Sequence, residues 1–417
     1  MSHSIPQEIL DLIIDHLRDE PTTLKRCSIV SKAWIPRVQK HLFATVKFQA
    51  LYSPVSRWRV IFPDPANSPA RHTRALFIGD PQCLTVADVD TLLTFCDILH
   101  LGMHADDEAR IPVPLYGFLP VLRTLHLSFL SFPPDSIFDS ICSFPLLEDL
   151  TLSGLMHGGN QEWNAPSTSP RLTGSLDLRC ANDGAWMMTD RLLTFPNGLH
   201  FTKIAMMWHS GADVLSTVNL LSRCSDTLEY LDITNDLLGT FPSARARFTA
   251  GYLILHIEAS RTRSLDLSKC TKLKEITFRC GGLNVRRIIT ALQTIEPNTI
   301  QQVTIMLIRS FFVQETNRAW LDLDSLLVHF WTSRSLRLKV VCEIEGASEG
   351  EKGRKKAAML LPELTKRLNV DLRLSAELYG PTFPSFTAES MLEWTQSSHR
   401  GNGRSLIFDS SAHFSIA

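Results

Sequence analysis

Along most of this chain an apolar residue, two arbitrary residues and an L-x-L pair recur at almost constant intervals. The clear instances are Leu122-x-x-Leu125-x-Leu127, Leu147-x-x-Leu150-x-Leu152 and Leu228-x-x-Leu231-x-Ile233. Looser ones are Phe201-x-x-Ile204-x-Met206, Leu273-x-x-Ile276-x-Phe278 and Ile300-x-x-Val303-x-Ile305, while Leu176-x-Leu178, Leu265-x-Leu267 and Leu336-x-Leu338 lack a clean leading residue. From Leu125 the second anchors fall at Leu150, Leu176, Ile204 and Leu231, steps of 25, 26, 28 and 27 residues. A unit this short cannot bury an apolar face alone, so a fixed period of this size means units stacked into one continuous core. After Leu231 the rhythm falters, with Leu265 and Ile276 only 11 apart, which points to an inserted or doubled element.

Between the phrases lie runs with helical spacing: Val86, Val89, Leu92 and Leu93; Ile137, Phe138 and Ile141; Val214, Leu215, Val218 and Leu221; Val285, Ile288, Ile289, Leu292 and Ile295. Short strands alternating with helices predict an α/β fold of parallel strands joined by right-handed crossovers, curved into a horseshoe-shaped solenoid and not a doubly wound sheet. The phrases resemble the leucine-rich-repeat family, whose period spans roughly 20 to 29 residues. Cys270, three residues after Leu267, stands where that family usually carries Asn or Cys to tie down the strand exit. The expected organisation is a solenoid over 75–380, with atypical last turns near Leu368 to Leu378 closing the core, and a cap remnant with a flexible tail over 381–417. Gly346 to Lys356 reads as a solvated insertion loop, because Glu349 and Glu351 dilute Lys352, Arg354, Lys355 and Lys356.

Ahead of the repeats, residues 1–50 predict three short helices. Ser4 and Gln7 have capping-box spacing around Pro6, and Ile9, Leu10, Ile13, Ile14 and Leu17 then recur on a broadly apolar face. Asp19-Glu20-Pro21 breaks this helix, Thr22 caps a second, Ser31 caps a third, and Pro36 kinks or restarts the last. The stretch 51–74, with Pro54, Pro63, Pro65 and Pro69, reads as an irregular connector. Taken in order, Ile5-Pro6-x-Glu8-Ile9-Leu10, Leu17, Cys27-x-x-Val30-Ser31-x-x-Trp34 and Leu42-Phe43 resemble the F-box family, most closely its fungal type, with Ile5 where leucine is common. That resemblance implies docking onto the Skp-type adaptor of a cullin-based ubiquitin ligase, with contacts from Pro6, Ile9, Leu10, Ile13, Val30 and Trp34. The same residues would equally serve as the core of a helical cap on the repeats.

Composition narrows the partners. Forty-two basic against 43 acidic side chains give a formal charge of -1, so no global field draws the chain to nucleic acid or to an anionic membrane. Nine cysteines without a C-x-x-C pair, no N-x-[ST] sequon and no signal peptide or apolar span favour a soluble protein of a reducing cytoplasmic or nuclear compartment. Nucleotide, zinc and hydrolase motifs are absent, and His100 and His104 find no convincing carboxylate or thiol partner, so no catalytic, cofactor or metal residue is assigned. Cys27, Cys224 and Cys280 read as small buried hydrophobes.

Strand alternation sends Thr124, His126, Ser128, Asp149, Thr151, Ser153, Lys203, Ala205, Met207, Tyr230, Asp232, Thr234, Glu275, Thr277 and Arg279 to the face away from the core. Met207, Trp208, Tyr230 and Arg279 are the candidate anchors for a target protein, since aromatic and arginine side chains dominate binding energy. The expectation is therefore a substrate receptor without enzymatic activity of its own. The alternatives are a repeat scaffold with no ligase role and, third, an enzyme.

Overall fold

A computed structural model of the chain describes residues 5–49, 54–79, 81–105, 121–129, 134–155, 167–181, 184–208, 211–235, 265–280, 285–295, 300–308, 317–333, 337–343 and 362. These residues fall into two compact units, the first comprising 5–129 and 143–147, the second 134–142 and everything from 148 onward. The expected cap near Leu368 to Leu378, the loop Gly346 to Lys356, the tail from 381, Ser4 and the side chain of Cys280 lie outside the described residues.

The first unit opens with α1 (Gln7–His16), α2 (Pro21–Val30) and α3 (Ile35–Leu42). Pro6 precedes α1 and its carbonyl accepts from the amides of Ile9 and Leu10, while the Gln7 side chain turns forward to Asp11 Oδ1 at 2.8 Å. For α2 the expected Thr22 cap is not used: the cap position is Glu20, two residues earlier, with Pro21 first in the helix, where a missing N–H costs nothing. Ser31 does cap, its Oγ accepting from Ala33 N at 3.3 Å over a single 3-10 turn, and α3 then restarts at Ile35 with Pro36 in its first turn. Ile14, Leu24, Val38 and Leu42 form the core of the three helices, with Leu17, Cys27, Trp34 and Phe43 packed around it.

No break separates these helices from the first strands. Strand β1 (Thr45–Phe48) begins two residues after Phe43 and pairs in parallel with β2 (Ala75–Gly79), which pairs with β3 (His100–Ala105) and that with β4 (Thr124–Phe129). The stretch expected to be an irregular connector holds a helix, α4 (Val55–Ile61). Its prolines lie at 54, 63, 65 and 69, leaving 55–61 proline-free with Val55 and Trp58 one turn apart and both buried. Trp58 meets Phe43, Phe48, Phe62 and Phe95 at centroid distances of 4.8 to 5.9 Å, and its indole N–H donates to Ser68 Oγ. Helix α5 (Val86–Leu92) starts from a complete capping box, Thr85 Oγ1 accepting from Asp88 N while Asp88 accepts from Thr85 N.

In the second unit β5 (Asp149–Leu155), β6 (Ser175–Ala181), β7 (Lys203–Trp208), β8 (Tyr230–Asn235), β9 (Glu275–Cys280), β10 (Gln302–Ile308) and β11 (Arg337–Glu343) pair in parallel, each with its sequence neighbour. Helices α6 (Pro134–Cys142), α7 (Gly184–Leu192), α8 (Gly211–Cys224), Val285–Thr294 and Asn317–Ser333 alternate with them. The fold is thus α/β with parallel strands laid down in chain order, as the period predicts. The anchors are in register: Leu150, Leu176, Ile204, Leu231, Ile276 and Val303 sit side by side and are buried. Leu265-x-Leu267 is not a strand; it is buried, and it precedes the turn that leads into β9, so β8 and β9 pair across a step of 45 residues.

Candidate functional site

Two surfaces gather the residues singled out by sequence, one in each unit. On α1, successive residues turn by about 100°. Ile14 and Leu17 therefore share one side and pack in the helical core, with Leu10 beside them and half-buried. Ile9, Leu12 and Ile13 lie on the adjoining part of the same apolar face, where they are 47 %, 55 % and 49 % exposed, and Ile5, just ahead of the helix, is exposed as well. Glu8, Asp11 and Asp15 fill the polar arc that remains. The helix thus carries one broad apolar face, of which the part around Ile14 and Leu17 is covered by described residues and the part formed by Ile9, Leu12 and Ile13 is not. Each such side chain left in water forgoes roughly 1.5–3 kcal/mol relative to full burial, so the uncovered part is costly for an isolated chain.

At the end of α2, Val30 is 68 % exposed and Ile29 more so, whereas Trp34 is half-buried against the helical core. Of the six residues expected at the adaptor contact, Pro6, Ile9, Ile13 and Val30 are exposed, while Leu10 and Trp34 are divided between surface and core. Leu12 and Ile29 are exposed as well, and neither was among the six. Leu12 lies three residues after Ile9, so helical spacing alone would have placed it beside the exposed pair. Behind this surface Asp15 clamps α1 to α3, accepting from Arg37 Nε at 2.7 Å and from Arg37 Nη2, with His41 Nε2 at 2.7 Å. The Arg37 guanidinium holds the Asp15 carboxyl well below the usual carboxylate range, so this clamp is charged at neutral pH.

The second surface is the face of β6 to β9 away from the core. Along one register row stand Asp177, Ala205, Asp232 and Thr277, with Ser175, Lys203, Tyr230 and Glu275 on one side of it and Met207, Thr234 and Arg279 on the other. Arg279 forks onto Asp232 at 2.9 to 3.1 Å, Arg179 Nε donates to Asp177 at 3.0 Å, and the Lys203 ammonium lies 5.1 Å from the Tyr230 ring centroid. Burial pushes the Asp177 carboxyl up, against the pull of Arg179. Met207, Tyr230 and Arg279 are half-exposed here.

Trp208 does not belong with them. It is 2 % exposed, and its indole N–H donates to Thr217 Oγ1 at 2.9 Å beneath α8. Burial along β7 alternates, with Ile204, Met206 and Trp208 inward and Lys203, Ala205 and Met207 outward, so the neighbour of an outward Met207 had to point into the core.

Neither a family model nor a curated protein matches the chain. The two surfaces therefore carry the functional reading on geometry and chemistry. Among the described residues no group of three or more His, Cys, Asp or Glu side chains stands close enough to hold a metal ion, and no helix is long and apolar enough to cross a membrane. Burial pushes the thiols of Cys142 and Cys270 up to about 11 and that of Cys224 to about 12, which makes them packing groups and poor nucleophiles at neutral pH.

Proposed function

We propose that the chain is the substrate-recognition adaptor of a Skp-cullin-F-box type ubiquitin ligase, with its first three helices as the F-box and its leucine-rich-repeat-like strands as the target-binding part. The observation that supports this most is the uncovered part of the apolar face of α1, where Ile9, Leu12 and Ile13 stand exposed, with Ile5 just ahead of the helix, next to the charged clamp of Asp15. A Skp-type adaptor, and through it a cullin, would cover that part. A protein target would be held on the outward face of β6 to β9, around Met207, Tyr230 and Arg279, close to a ubiquitin-carrying enzyme. Catalysis is then proximity supplied by others, in the cytoplasm or the nucleus.

A repeat scaffold with a helical cap is the second reading, and one observation favours it. Phe43 at the end of α3 packs edge-on to Trp58 and Phe62, joining the helices to the strands as a cap would be joined.

Co-expression with a Skp-type adaptor separates the two. A stable complex is expected, and Ile9→Asp with Ile13→Asp is expected to weaken it at least about tenfold, since two exposed anchors of an interface are replaced by charge. Both residues are half-exposed, so the circular-dichroism melt of the variant should match the parent. Retained capture by the double variant, or no complex with any adaptor, would sink the ligase reading.

A further inference from the structure

No further inference is drawn: the strongest candidate, a groove of about 280 Å³ between α4 and α5 lined by Trp58, Arg59, Phe62, Pro63, Thr91 and Thr94, is a largely apolar surface for which nothing in the structure shows what covers it.

Discussion

At Gly102 the missing side chain is what the sheet requires. Phe77 lies beside it in register, and a Cβ at position 102 would come within 2.4 Å of Phe77 Cδ1. Gly102→Ala is therefore expected to cost about 1–3 kcal/mol in urea unfolding, as overpacking does, and Phe77→Leu in the same chain should recover part of the loss. Next to Phe77 on β1, Lys47 is only 5 % exposed, with its ammonium 5.3 Å from the Phe77 ring centroid. Burial pulls its pKa down to about 8, against about 10.4 in an unfolded chain. Between those values the unfolded state binds more protons, so stability rises with pH, and below pH 8 the full penalty remains. Lys47→Met should consequently be more stable at pH 7 by about 1–3 kcal/mol, an advantage that disappears near pH 10.5. Equal differences at both pH values would refute the assignment. Alternation told the sequence reading which side of the strand Met207, Tyr230 and Arg279 occupy. Applied to Trp208 it would have sent that residue inward. It could not tell that the outward side of β1 and β2 is itself buried, because Lys47 and Phe77 are covered by tertiary packing that no local pattern encodes.

Elements follow the same division. Helical spacing located α5, α6, α8 and Val285–Thr294 because each keeps one apolar stripe. It misjudged 51–74 because proline density obscured the proline-free turns of α4, and it did not separate the covered from the uncovered part of the apolar face of α1 because six apolar residues within nine leave little polar contrast. Ile98-x-x-Leu101-x-Met103 fits the repeat phrase and marks β3, so that strand was open to the same search. Some contacts between elements have no signature at all. Asp213, in the first turn of α8, is fully buried and accepts from Trp186 N near the start of α7 at 3.2 Å, while its own carbonyl accepts from Thr217 Oγ1. A carboxylate at a neighbouring helix start satisfies an amide that would otherwise lack a partner and complements the helix dipole. Asp213→Ala should destabilise the second unit by about 2–3 kcal/mol, the scale of a lost hydrogen bond to a charged group. Thermal unfolding monitored at the Trp186 and Trp208 indoles would test this, and a loss below about 0.5 kcal/mol would remove Asp213 from that role.

For the whole molecule, the order of strands was legible from the period, and the register confirms it anchor by anchor within each unit. Less legible was where the repeats begin. Val46 pairs with Leu76 and Leu76 with Leu101, so the first repeat strand starts two residues after Phe43. Removing residues 1–50 would thus remove β1 and expose Leu76, Ile78 and Trp58. Such a truncation is expected to aggregate whether the helices are an F-box or a cap, and size-exclusion chromatography should show it. A soluble monomer would mean that the strands do not need β1. Point changes on the outer side of α1 are for that reason the sharper probe of function. Finally, every described pairing joins strands adjacent in sequence, and the pairing of β1 to β4 requires nothing beyond residue 129. Near-neighbour pairing keeps loop-closure costs small and lets structure form in the order of synthesis. The helices that carry the uncovered apolar residues are made before the strands that follow them, so a partner able to cover those residues would meet them before the last of these strands leaves the ribosome.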